Sequence, residues 1–291
     1  MKPIRLAIPK GSLQASTIEL FKDAGWRILT SSRSYFPSID DPELECALVR
    51  AQEIPRYVES GLFDMGLTGK DWILENESDV HEVEDLVYSK VTSRPARWVL
   101  AVAENSGYDK LEDLKGKKIA TELVNFTKNY FKEKNIDVEV EFSWGATEAK
   151  VVDGLVDAIV EVTETGSTIR AHNLKIIQDL LITNTKLVAN KVSWQDKEKR
   201  TKIEQIAMML KSALAAADMT GLKMNVPNDK IDSIINTLPS ITSPTVSSLY
   251  DAQWFSVEII IPQSQARDLI PKLLRVGATG IIEYPLKKVL Y

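Results

Sequence analysis

Acids and hydroxyls crowd one short stretch of the chain, Glu161-Val162-Thr163-Glu164-Thr165-Gly166-Ser167-Thr168. The apolar run Ala158-Ile159-Val160 before it reads as a buried strand, and the residues from Ile169 onward read as a helix. A turn that opens a helix presents unpaired backbone N–H groups and the positive end of a dipole, which favours an anion. Thr165, Ser167 and Thr168 add hydroxyls to that cradle. Acids repel a phosphate, so Glu161 and Glu164 suit sugar hydroxyls or a divalent cation instead. Phosphate, ribose and cation together describe a phosphoribosyl donor. The same stretch also fits an ordinary strand-to-helix turn capped by Ser and Thr.

Two more turns have a similar character. Pro9-Lys10-Gly11-Ser12 follows the apolar run Ile4–Ile8 and offers a point charge beside a glycine that lets the backbone approach a ligand. Gly66-Leu67-Thr68-Gly69-Lys70-Asp71 follows another such run, and Arg50 ends a third, where its guanidinium suits a triphosphate or pyrophosphate. Each also has a plainer reading, as a helix cap, a two-glycine turn or a surface arginine. In open α/β sheets ligands bind beyond the carboxyl ends of strands, so three such turns from two domains predict a cleft for a large phosphorylated ligand set.

The elements that must position these residues alternate. Strands are expected at Ile4–Ile8, Glu45–Arg50 and Phe63–Leu67, with a helix over Ile54–Ser60, which predicts an α/β domain with a largely parallel sheet. A second set follows, with strands at Trp98–Ala103, Lys118–Thr121, Val138–Phe142 and Ala158–Val162 and helices at Phe126–Lys134 and Thr147–Gly154. Leu187–Asn190 reads as a strand returning to the first domain, and Lys199–Ala217 as a long amphipathic helix. From Leu222 the order becomes βαββαβ, with a helix over Asp229–Leu238 and another over Gln263–Val276, a ferredoxin-like unit. The expected division is 1–95 with 185–217, then 96–184, then 218–291.

Composition narrows the class. The chain has 291 residues, a formal net charge of -5 and 26% charged residues, which gives no reason to expect nucleic-acid binding. One cysteine, Cys46, excludes an intramolecular disulfide and fits a reducing cytoplasm. Two histidines and that cysteine leave little for zinc, so any metal is expected to be a hard cation held by carboxylates and substrate. No apolar run approaches the ~20 residues needed to cross a bilayer, and the N-terminus lacks a signal-peptide core. The expectation is a cytoplasmic protein with no membrane partner.

Together the motifs resemble the ATP phosphoribosyltransferase family in its long form. The matching pieces are IRLAIPKGSL, Arg50, FDMGLTGKDWI, KIATE at Lys118–Glu122, WGATEAKVVDGLVDAIVEVTETGSTIRAHNL, LPSITSPTVSSL and VGATGIIEYPL, spread over nearly the whole chain. The resemblance implies Mg²⁺-dependent transfer of phosphoribose from phosphoribosyl pyrophosphate to N1 of ATP, the first step of histidine biosynthesis. It implies two periplasmic-binding-protein-like (type II) lobes plus the ferredoxin-like regulatory domain, assembled as a homo-hexamer in exchange with dimers. By match, Glu161, Thr163, Glu164, Thr165, Gly166, Ser167 and Thr168 hold the donor, and Glu148 is a second acid facing the ribose. Lys10, Gly11, Arg50, Gly69 and Asp71 line the ATP and pyrophosphate end. No dedicated protein site is implied for magnesium, which the substrate phosphates mainly hold.

Histidine is the implied feedback inhibitor, with Asn225, Ile241, Ser243, Thr245 and Gly280 as its candidate contacts. Asn225 stands where some relatives carry an aspartate for the ligand's amino group. Of the tryptophans, Trp144 is the one placed to meet adenine or ribose. Two rivals stay open on the residues alone: an intracellular solute-binding or effector-sensing protein, and a phosphoribosyltransferase with another acceptor.

Overall fold

The computed structural model describes residues 2–31, 34–88, 95–239 and 243–290. The chain divides into two compact units, one formed by residues 1–22 and 26–207, the other by 23–25 and 208–291.

The first unit contains two five-stranded sheets. One holds β1 (Ile4–Lys10), β4 (Leu44–Arg50), β5 (Met65–Gly69), β6 (His81–Leu86) and β12 (Thr185–Ala189) in the order β4-β1-β5-β12-β6. Its helices are α1 (Gln14–Ala24), α2 (Ile54–Glu59) and α3 (Lys70–Glu75), and a small hairpin of β2 (Ile28–Ser31) and β3 (Ser34–Ile39) packs beside β4. The other sheet holds β7 (Ala96–Ala103), β8 (Lys118–Thr121), β9 (Glu139–Phe142), β10 (Ala158–Thr163) and β11 (Leu174–Thr183) in the order β11-β7-β10-β8-β9. Its helices are α4 (Val124–Glu133), α5 (Thr147–Val152) and α6 (Ser167–Ala171).

The two sheets share one design. The chain enters the second lobe at β7 and returns to the first at β12, and each entering strand is the antiparallel one beside an otherwise parallel ladder. The expected class, two periplasmic-binding-protein-like lobes with a ferredoxin-like tail, is the one observed. In the second lobe successive residues of β7 and β10 alternate between two buried clusters. Trp98, Leu100, Val102, Ala158 and Val160 face one side, and Val99, Ala101 and Ile159 the other. Central strands covered on both faces must be apolar at every position, which is why these stretches lack a polar stripe.

The second unit carries the end of α8 (Lys197–Ala217), which follows the short α7 (Lys191–Gln195). Its sheet contains β13 (Met219–Pro227), β14 (Thr245–Ser248), β15 (Trp254–Pro262) and β16 (Thr279–Pro285), ordered β14-β15-β13-β16 and wholly antiparallel. That order is ferredoxin-like. Leu222, Met224 and Val226 point inward against Leu269 and Leu273 of α10 (Gln263–Val276), leaving Lys223 and Asn225 on the outer face. The helix expected over Asp229–Leu238 is shorter than predicted. A 3-10 turn, Asn228–Lys230, precedes α9 (Ile231–Ile235), and Asn236 ends it.

Candidate active site

Register builds the rim of the first lobe. In the parallel pair of β1 and β4, Lys10 stands directly opposite Arg50, so two cations end adjacent strands. β1 pairs with β5 only at Leu6 and Ala7, so Pro9, which has no N–H to donate, lies beyond that ladder and keeps only its β4 neighbour, Val49. Aromatic rings cover both cations: the Lys10 ammonium lies 4.1 Å from the Tyr35 ring centre, and the Arg50 guanidinium 5.3 Å from that of Trp144.

Beside them β5 runs into α3 through Gly69 and Asp71. A Cβ at Gly69 would fall 1.9 Å from the Asp71 carboxylate, so only glycine fits there. Asp71 is 6% exposed, and both its oxygens already carry protein donors. Trp98 Nε1 of β7 donates to Oδ2 at 2.7 Å and the Trp72 amide to Oδ1 at 3.0 Å. The Asp71 amide donates to the Thr183 hydroxyl at 3.2 Å, next to the one-residue crossing at Asn184. These bonds tie Asp71 to the second lobe where the chain passes between the lobes, while the residue also stands on the wall of the cavity that Lys10 and Arg50 line. Burial pushes its carboxyl above the ordinary range, despite those hydrogen bonds.

Lys10, Gly11, Arg50, Gly69 and Asp71 line one cavity of about 430 Å³ with Gln52, Trp72, Tyr88, Trp98, Glu122, Val162 and Glu164. Glu161 and Glu148 are not among its lining residues, but they lie close enough to each other and to Glu122 for their charges to interact. Glu161 is pushed up to about 7, first by burial and then by the charges of Glu148 and Glu122, although the Val162 amide and Thr147 hydrogen-bond it. Glu148 is brought there by a tight entry into α5, where Ala146 adopts a left-handed conformation (φ 50°) unusual for a residue with a Cβ.

Thr165, Gly166, Ser167 and Thr168 form the outer, mostly exposed turn beyond Glu164. Gly166 is left-handed (φ 72°) and its amide donates to the Thr163 hydroxyl at 2.7 Å. The Thr165 hydroxyl donates to that of Ser167 at 3.0 Å. The Thr163 hydroxyl thus braces the turn rather than facing outward. The helix that follows, α6, has only five residues, so the turn's pull on an anion comes from local groups more than from a long dipole.

Sequence reasoning passed over Glu122, Gln52 and Trp72, which also line a second cavity of about 460 Å³ with Arg50, Arg56, Phe142 and Trp144. Glu122 directly follows the buried strand β8, the same strand-end placement that singled out Glu161 and a signal that was available.

In the second unit Asn225 and Thr279 line an open cavity with Leu249, Tyr250, Asp251 and Trp254. A Cβ at Gly280 would come 3.3 Å from the Asn225 side chain, placing these two together. Ser243 and Thr245 are described but lie off that wall, and Ile241 lies outside the described residues. Asp251, missed in the sequence, supplies a carboxylate beside Asn225. Among the described residues no three His, Cys, Asp or Glu side chains gather as a metal site, and no helix is long and apolar enough to cross a membrane.

Comparison with known proteins adds a family. A family model described as ATP phosphoribosyltransferase matches residues 50–212, and one described as the HisG C-terminal domain matches residues 216–288. The chain is 65% identical to an ATP phosphoribosyltransferase of Desulfatibacillum aliphaticivorans over 288 residues, 99% of each protein. It is 64% identical to that of Solidesulfovibrio magneticus, covering 99% of this chain and 98% of the relative. Among solved structures, a chain of the ATP phosphoribosyl transferase (HisG:HisZ) complex from Thermotoga maritima matches with a TM-score of 0.61 and 28% identity, over 72% of this chain and 98% of that one.

Proposed function

The chain belongs to the ATP phosphoribosyltransferase family, and on that premise we propose that it transfers phosphoribose from phosphoribosyl pyrophosphate to N1 of ATP and releases pyrophosphate. This is the first step of histidine biosynthesis. The observation that carries the reading is the meeting of Lys10 and Arg50 from one lobe with Glu122 and Glu164 from the other around one cavity.

The bond from ribose C1′ to the diphosphate weakens as N1 approaches, so positive charge gathers on the ribose ring. Glu161 and Glu148 suit that charge, and Lys10 and Arg50 suit the departing diphosphate. The Thr165–Thr168 turn holds the 5′-phosphate, and Glu161 and Glu164 face the ribose hydroxyls. ATP supplies the nucleophile, so the protein contributes position and charge. Magnesium would be held mainly by the substrate phosphates and would supply charge neutralisation at the diphosphate.

Histidine is read as the ligand of the Asn225 cavity. Asp251 meets its ammonium there, a role that a neutral Asn225 fills poorly. Inhibition then requires that histidine bind two global states unequally. The active assembly is read as a hexamer and the compartment as the cytoplasm.

The test is direct. The purified chain is incubated with ATP, phosphoribosyl pyrophosphate and Mg²⁺, and an ultraviolet-absorbing adduct that needs all three is expected. Absence of that adduct overturns the reading. Calorimetry with histidine is expected to show binding that Asp251→Asn weakens about tenfold, roughly one charge-assisted hydrogen bond.

A further inference from the structure

Alkylating N1 of an adenine places a positive charge on the ring and acidifies its 6-amino group. Neutral product therefore forms only when a proton leaves N6, and a base within reach of that atom assists. The second cavity is lined by Trp72, Phe142 and Trp144 with Gln52 and Asn76, a mix of rings and amides that suits a planar base. The Asn76 N–H groups already donate to the Gln52 and Trp72 carbonyls, and Arg50 lines both this cavity and the first. Glu122 is the one acid that lines both cavities, at the junction between the diphosphate end and the aromatic end.

Resting on the transfer reading above, we propose that Glu122 is the catalytic base that takes the N6 proton of ATP during the transfer. The N1 lone pair forms the bond to C1′, and the C1′–O bond breaks with its electron pair leaving on pyrophosphate. The N6–H bond then gives its electrons to the ring, which becomes a neutral imine, while the proton passes to the Glu122 carboxylate and on to water.

The surroundings of Glu122 suit a proton acceptor. Its side chain is partly buried, and a hydrogen bond with Gln52, from the first lobe, orients it. Burial and then the Asp71 charge raise its carboxyl above the ordinary range, which brings its basicity closer to that of the group it must deprotonate. Glu53, Glu75, Arg50 and Arg56 share the second cavity's wall with it and Lys10 shares the first, and the Glu122 charge in turn raises the Glu161 carboxyl. Glu161 is less suited to this step, because it lines neither cavity, whereas Glu122 shares a wall with the aromatic rings.

Single-turnover rates are measured from pH 5.5 to 9.5 for the wild type, Glu122→Gln and Glu122→Ala, with ATP, phosphoribosyl pyrophosphate and Mg²⁺. The wild-type rate is expected to rise to a plateau. The Glu122→Gln rate should fall about a hundredfold at neutral pH, then climb steadily with pH as hydroxide replaces the base, with KM for both substrates within threefold. Added formate should restore part of the Glu122→Ala rate. Three results overturn the assignment: a Glu122→Gln rate within twofold of wild type, an equal loss at every pH, or no rescue by formate together with a wild-type pH profile. A wild type that forms no adduct overturns the transfer reading and this one with it, whereas an active wild type with an indifferent variant overturns this one alone.

Discussion

The two lobes use the same strand order but finish their functional edges in opposite ways. The first lobe's rim is prebuilt: Lys10 and Arg50 are held by register and covered by rings, and Asp71 is buried with both oxygens engaged. The second lobe's rim is an exposed turn of hydroxyls backed by crowded acids, with Glu161 pushed up to about 7. On the first edge Asp71 ties the lobes together while Lys10 and Arg50 line the cavity. On the second, burial and like charges crowd Glu161, so a cut at Asp71 should be felt as stability and a cut at Glu161 as activity.

The largest expected effect tests the prebuilt side. Asp71→Ala leaves the Trp98 and Trp72 N–H groups without their acceptor, at about 1–3 kcal/mol for each buried group. Denaturant unfolding should show a loss of about 3 kcal/mol, and wild-type stability would sink the idea of a pin between lobes.

Glu161→Gln should act the other way. Turnover is expected to drop about a hundredfold, the usual scale for one lost charge stabiliser. Stability should rise. The folded carboxyl at about 7 lies above the ordinary value of 4.5, so its stabilising contribution is complete below 4.5 and is lost as pH climbs to 7. Above pH 7 the neutral variant is thus expected to be the more stable form, by an amount of order 3 kcal/mol, and near pH 4.5 the two should coincide. Melting curves at pH 5 and pH 8 that shift equally would break the contrast between the edges.

Gly166→Ala forces a Cβ into the left-handed region and to 3.0 Å from the Arg170 guanidinium. A cost of about 1–2 kcal/mol is expected, read as roughly tenfold weaker phosphoribosyl pyrophosphate binding with little change for ATP. Ser167→Ala should be milder still, about fivefold in the same titration, since it removes one exposed hydroxyl. Equal losses for both substrates in either variant would mean the turn does not belong to the donor alone.

Much of this was legible beforehand because buried parallel strands are apolar throughout and their ends are marked by the first polar residues. Lys10 and Arg50 sit at such ends, Glu161 is the first polar residue of β10, and Gly166 lies in the turn beyond it. Other elements left a weaker trace. β6 (HEVEDL) is half charged because its sheet position is an edge, and the β2–β3 hairpin exposes Leu29, Tyr35 and Phe36, so neither shows a clear burial pattern. The helix over 229–238 was overextended because its apolar spacing continued past the point where Asn236 closes it.

The sequence by itself determined the lobes, the tail, the family and the residue types at the strand ends, because periodicity and local turn chemistry are written in neighbouring positions. Only the tertiary structure decided which of those residues meet. Asp71 binds Trp98, 27 residues away, and the Glu161 carboxyl answers to Glu148 and Glu122 on other elements. Burial and charge act through space, and no spacing along the chain encodes them. The opening turn was therefore recognisable as a helix-opening turn of acids and hydroxyls, while the raised Glu161 carboxyl and the place of Glu122 on two cavity walls appeared only once the strands had been laid side by side.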